Sequence, residues 1–139
     1  MNLLVLFLFL NYIGLAPAPV STLTVEITNV KRSGGKLRLA VFRPTDTFST
    51  GKPYMYKIVS MEKPSTQRIE FELDPGQYAV AVYHDVNGND KLDKNLVGYP
   101  SEPFGFSNNY RPIVSAPKFE DCSFEVGGTD KQISIKLLD

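Results

Sequence analysis

Apolar and polar residues alternate with period two in several short runs along the chain. Leu23, Val25 and Ile27 alternate with Thr24, Glu26 and Thr28, the pattern of a strand with one dry and one wet face. Ser33-Gly34-Gly35 supplies a turn, and Leu37, Leu39 and Val41 then alternate with Lys36, Arg38 and Ala40. This predicts a second strand in an antiparallel hairpin with the first. Pro44 to Pro53 reads as loop and Tyr54 to Ser60 as a weaker strand, after which Arg68, Glu70 and Glu72 oppose Ile69, Phe71 and Leu73 on another half-wet strand. Asp74-Pro75-Gly76 is tight-turn chemistry. The run from Tyr78 to His84 is apolar on both faces, with Ala79, Ala81 and Tyr83 on one and Tyr78, Val80 and Val82 on the other. A strand covered on both sides belongs in the middle of its sheet. Phe119 to Val126 and Gln132 to Leu138 close the chain as two strands around Gly127-Gly128.

No helical periodicity appears. These runs predict an all-β fold, a two-layer antiparallel β-sandwich of about seven strands, immunoglobulin-like or transthyretin-like. One long loop, Asp85 to Pro117, follows the central strand. Loops of that length carry function or hidden structure.

Composition adds the compartment. Leu3 to Leu10 is an uncharged apolar run followed by Gly14-Leu15-Ala16-Pro17-Ala18, the pattern of a secretory signal peptide cleaved after Ala18. The n-region has no Lys or Arg, and Pro19 would follow the cut. The reading is a leader at 1–18 and one domain at 19–139, exported to the periplasm, outer surface or medium, with no membrane span after leader removal. Lys plus Arg and Asp plus Glu both number 15, so no basic footprint argues for nucleic acid or anionic lipid. Cys122 is the single cysteine. It has no disulfide partner in the chain and reads as a small buried residue.

Candidate chemistry concentrates after the central strand. Counting Asp85 as position 1, side-chain oxygens fall at positions 1, 3, 5 and 9 (Asp85, Asn87, Asn89, Asp93), with the Lys91 carbonyl at position 7. That is the ligand spacing of a calcium loop. Position 6 is Asp90 where an EF-hand has glycine, and position 12 is Leu96 where it has glutamate. A strand rather than a helix leads in, so the expectation is a weak calcium site that is not an EF-hand, with Asp90 or Glu102 available to complete the shell. Asn-Gly-Asn-Asp is also ordinary turn chemistry. The alternative is a small hydrolase using His84 as general base beside Asp85 or Asp93, although no set of acid, base and nucleophile can be assembled. No catalytic residue is assigned. Phe104, Phe106 and Tyr110, interleaved with Asn108 and Asn109, form a candidate glycan- or peptide-recognition loop, or anchors that tuck the loop against the sandwich. The partner in either case is an extracytoplasmic ligand or protein that the sequence does not name.

Gly76, Tyr78, His84, Asp85, Asn87, Asn89 and Asp93, then Gly98-Tyr99-Pro100 with Glu102, Gly105-Phe106-Ser107-Asn108-Asn109 and Pro117-Lys118-Phe119, together resemble the bacterial family called domain of unknown function 2141. The resemblance implies an exported β-sandwich and assigns no activity. Leu73 to Val80 is also similar to the turn-and-strand signature of transthyretin-like and carboxypeptidase regulatory-like modules, which implies a structural or adhesive role.

Overall fold

The computed structural model describes residues 14–17 and 19–139, and the leader reading of residues 1–18 lies outside them apart from 14–17. The chain is an all-β sandwich of two sheets. Its strands are β1 (Ser21–Thr28), β2 (Lys36–Phe42), β3 (Met55–Ser60), β4 (Gln67–Leu73), β5 (Gly76–Asp85), β6 (Phe104–Phe106), β7 (Phe124–Val126) and β8 (Lys131–Lys136), with one helical turn, α1 (Phe119–Cys122). The smaller sheet has the order β4-β1-β8, and the larger has β3-β2-β5-β6, with β7 also on β5. Among the described residues no helix is long and apolar enough to cross a membrane.

Period-two alternation puts one face of each long strand between the sheets. Leu23, Val25 and Ile27 of β1 are fully buried there with Leu37, Leu39 and Val41 of β2, Phe71 of β4, and Val80 and Val82 of β5. The outer face of β5 is covered as well, by a second cluster of Phe42, Phe48, Phe104, Phe106 and Cys122 against Ala79. Phe48 packs edge-on to Phe42 and Phe119, with ring centroids 5.3 and 6.2 Å away. Burying a phenylalanine contributes about 1.5–3 kcal/mol, enough to order the irregular segments that carry these rings.

Three expectations from the sequence are corrected. β1 and β2 do not form a hairpin. Both edges of β1 are occupied, antiparallel by β4 and parallel by β8, and the chain leaves β1 through Asn29 in the left-handed region (φ 60°) to cross to the other sheet. The same parallel β1–β8 pairing means that the sandwich is not wholly antiparallel. The stretch from Phe119 to Val126 is split into α1 and β7, because Cys122 belongs to the outer cluster and Val126 to the inter-sheet core. The Asp121 carboxylate accepts the Lys118 N–H at 3.1 Å and fixes that helical turn. The long loop does hold the hidden structure that its length implied, β6 and a 3-10 turn at Ser107–Asn109.

Candidate cation loop and the segment that closes it

β5 delivers Asp85 to the rim of the sandwich with its side chain fully buried. One oxygen, Oδ1, accepts the Asn89 N–H at 3.1 Å, and Oδ2 accepts the Asp90 N–H at 2.9 Å and Arg38 Nε–H at 3.2 Å. Arg38 stands on β2 beside Tyr83 of β5 and also pairs with the Asp90 carboxylate. Burial on its own pushes the Asp85 pKa up. The Asp90 N–H, the Arg38 hydrogen bond and charge, and the Gly88 N–H outweigh it and hold this carboxyl below its ordinary value.

The remaining loop oxygens fold inward as successive Asx turns. Asn87 Oδ1 accepts the Asn89 N–H at 3.1 Å, and Asn89 Oδ1 accepts the Lys91 N–H at 3.0 Å. Both amide Nδ2 groups point at the Asp93 carboxylate, at 2.6 Å from Asn87 and 2.9 Å from Asn89. Asp90 adopts φ 64°, so the left-handed backbone that a calcium loop obtains from glycine at its sixth position is present here on an aspartate, which tolerates it. The fold therefore brings Asp85, Asn87, Asn89 and Asp93 together. No hydrogen bond to the Lys91 carbonyl is formed among the described residues.

Glu102 does not join this oxygen set. It is buried, and its two carboxylate oxygens accept the N–H groups of Val86 (2.9 Å) and Asp93 (3.1 Å), clamping the two ends of the loop. Sequence reasoning missed that clamp and the Arg38 counter-ion. The signal for Glu102 was a lone acidic residue between Pro100 and Pro103, and for Arg38 there was none, since an arginine on the wet face of a strand is unremarked. Among the described residues no group of three or more His, Cys, Asp and Glu is placed to hold a metal. The loop's side-chain oxygens are the carboxylates of Asp85 and Asp93 and the amides of Asn87 and Asn89, donors of the hard-cation kind. Arg38 already compensates the charge of Asp85, and two amide N–H groups occupy Asp93.

His84 faces away from this chemistry. It is fully buried, its Nε2–H donates to the Gly34 carbonyl at 2.7 Å, and its N–H to the Pro103 carbonyl at 2.8 Å. No hydrogen bond joins it to Asp85, Asp93 or Cys122 among the described residues. Its Nδ1 is buried without a partner. Burial lifts the Cys122 thiol to about 12, with Asp121 adding to the shift, far from a reactive thiolate.

The segment read as a candidate recognition loop is turned inward. Phe104 and Phe106 are 3 % and 8 % exposed, so these two rings anchor the segment and are not presented to solvent. Gly105 faces the other sheet so closely that a Cβ there would stand 2.7 Å from Ile135 Cγ2. Ser107, fully buried, accepts the Val80 N–H on Oγ at 2.9 Å and donates to the Cys122 carbonyl at 2.5 Å. Asn109 uses both ends of its amide on the outer edge of β8, accepting the Lys136 N–H at 2.8 Å and donating to the Ser134 carbonyl at 3.2 Å. Asn108 donates to the Ser123 carbonyl at 2.9 Å. Tyr110 is half-buried beside the outer cluster. Gly105-Phe106-Ser107-Asn108-Asn109 is thus a staple between β5, the end of α1 and β8.

A two-sheet sandwich with a clamped oxygen-rich loop and this staple defines a small all-β module. The family model for "Uncharacterized protein conserved in bacteria (DUF2141)" matches residues 25–134, and the chain belongs to that family. No curated protein and no solved structure matches it.

Proposed function

We propose that the protein is an exported, non-catalytic β-sandwich module whose Asp85–Asp93 loop binds calcium weakly and is stiffened by it. The observation that carries this reading is the closed turn in which Asp85 and Asn87 share the Asn89 N–H and the Asn87 and Asn89 amides both donate to Asp93, around a backbone turned left-handed at Asp90. Export rests on the leader pattern, and the absence of a catalytic role rests on the burial of His84 and Cys122.

Affinity belongs near the range of extracellular modules, about 10⁻⁴–10⁻³ M, because two aspartates and two asparagines supply the side-chain ligands and one aspartate is shared with Arg38. At ten times the dissociation constant, ligation adds about 1.4 kcal/mol to stability. Titration calorimetry with calcium and magnesium tests this, alongside melts in millimolar calcium and in chelator. The expected result is a calcium-dependent rise of several degrees, smaller with magnesium and lost in Asp93→Ala. No heat and superimposed melts would make the loop a self-sufficient turn.

A further inference from the structure

Two neighbouring loops carry aliphatic side chains outward. Leu96, Val97, Ile113 and Val114 are 107, 87, 92 and 96 % exposed, whereas the next aliphatics beyond the leader, Val20 and Ile58, are 59 and 45 %. The first pair sits on the tip of a well-built hairpin. Lys94 pairs with Pro100, the Asn95 N–H donates to the Tyr99 carbonyl at 2.8 Å, and Asn95 Oδ1 accepts the Val97 and Tyr99 N–H groups. Gly98 supplies the positive φ of 82° that the turn needs. The Asp93 carbonyl accepts the Ser101 N–H at the base, and Tyr99 rests edge-on against Phe104 at 5.6 Å. Fixed geometry of this kind holds Leu96 and Val97 in solvent, at a cost that a polar tip would avoid. The second pair follows Arg111 and Pro112. The two loops meet across a cleft of about 490 Å³ lined by Tyr99 and Pro100 from one and Arg111, Pro112 and Ile113 from the other.

Charge selects the occupant. Residues 94–101 contain Lys94 and no acidic residue, and residues 110–118 contain Arg111 and Lys118 and no acidic residue. None of the three cations forms an ion pair among the described residues. In a chain balanced at 15 cations and 15 anions, the two segments that carry these aliphatics thus hold three cations outside any ion pair and no anion, although the cleft between them is also lined by Glu102 and by Asp139, which Arg32 pairs. Tyr99 and Tyr110 of the same two segments are partly exposed. Aliphatics, tyrosines and lysine or arginine are the side chains that meet hydrocarbon, the interface and anionic headgroups.

We propose that the loop pair 94–101 and 110–118 is a peripheral docking surface for an anionic lipid bilayer, with Leu96, Val97, Ile113 and Val114 entering the acyl boundary and Lys94, Arg111 and Lys118 meeting the headgroups. Net charge, which by itself argues for no anionic lipid partner, is an average over the chain and does not register how charge is distributed between segments. The proposal is independent of calcium. The experiment is vesicle co-sedimentation of residues 19–139, which hold every strand and both hydrophobic clusters and leave out the apolar leader. It is run in chelator, with phosphatidylcholine–phosphatidylglycerol vesicles against phosphatidylcholine alone.

The protein is expected on the anionic vesicles. Leu96→Ser with Val97→Ser, or Ile113→Ser with Val114→Ser, lowers the partition coefficient at least about tenfold. Each of Lys94→Gln and Arg111→Gln lowers it about fivefold on anionic vesicles only. All four aliphatics are outside both hydrophobic clusters, so unchanged melting curves verify that folding is intact. Equal binding by parent and aliphatic variants would overturn the proposal, as would no binding by the parent. A dimer in sedimentation equilibrium that the same substitutions abolish, without vesicle binding, would assign the surface to a second copy and overturn it too.

Discussion

Replacing Ser107 with Ala removes one hydroxyl and leaves two buried backbone groups without a partner. The reason lies along one edge of β5. Tyr78 pairs with Phe124 of β7, Val82 pairs with Gly105 of β6, and the His84 N–H donates to the Pro103 carbonyl. Val80, midway in that series and paired with Val41 of β2 on its other side, meets no strand on this edge, and the Ser107 Oγ accepts its N–H at 2.9 Å. The same hydroxyl donates to the Cys122 carbonyl at 2.5 Å, so the side chain stands in for the missing strand residue and ties α1 to it. An unpaired buried polar group costs about 1–3 kcal/mol, so the two groups together cost about 2–6 kcal/mol. At about 3 °C per kcal/mol for a chain of this size, the melting midpoint falls by roughly 6–18 °C. Calorimetry measures the shift, and amide exchange at Val80 reports its cause, since that N–H loses protection before its neighbours. Ser134→Ala, at an exposed position of β8 whose hydroxyl makes no hydrogen bond among the described residues, is the control and stays near the parent. A drop below about 2 °C with Val80 still protected would refute the reasoning, because a group of this kind cannot lose its partner without cost.

The Asp85 carboxyl, held below its ordinary value of 3.8 against burial by the Asp90 N–H and Arg38, contributes stability that is complete above that value and is lost as pH falls through the lower folded value. Urea midpoints at about pH 5 and pH 3 should therefore separate for the parent, and separate less for Asp85→Asn; equal separation would deny Asp85 this role. Gly105→Ala drives a Cβ into Ile135 Cγ2 and should cost about 1–3 kcal/mol by overpacking. Gly127→Ala, with nothing within 4 Å of the added carbon, should not, and comparable melts for the two would show that β8 yields to make room.

The alternation of residues by itself determined β1, β2, β4 and β5 and the face each buries, because side-chain direction in a strand is a local property with a period of two. It likewise marked β5 as central and Asp85 to Asp93 as the stretch where oxygen-bearing side chains collect. Pairing was not local. Whether β1 meets β2, or β4 and β8, depends on which edges other strands reach first in space, and the Gly34–Gly35 turn suits either path. Phe119 to Val126 reads as one strand because both of its ends are apolar, while the fold sends Cys122 and Val126 to different clusters. The polar groups were least legible of all. Ser107, Asn109, Glu102 and Arg38 act on backbone or carboxylate partners 27, 27, 16 and 47 residues away, and no pattern along the chain encodes a partner at that distance. Net charge is blind to placement in the same way, since Tyr99 and Pro100 of one loop and Arg111 and Ile113 of the other line one cleft only in the tertiary structure.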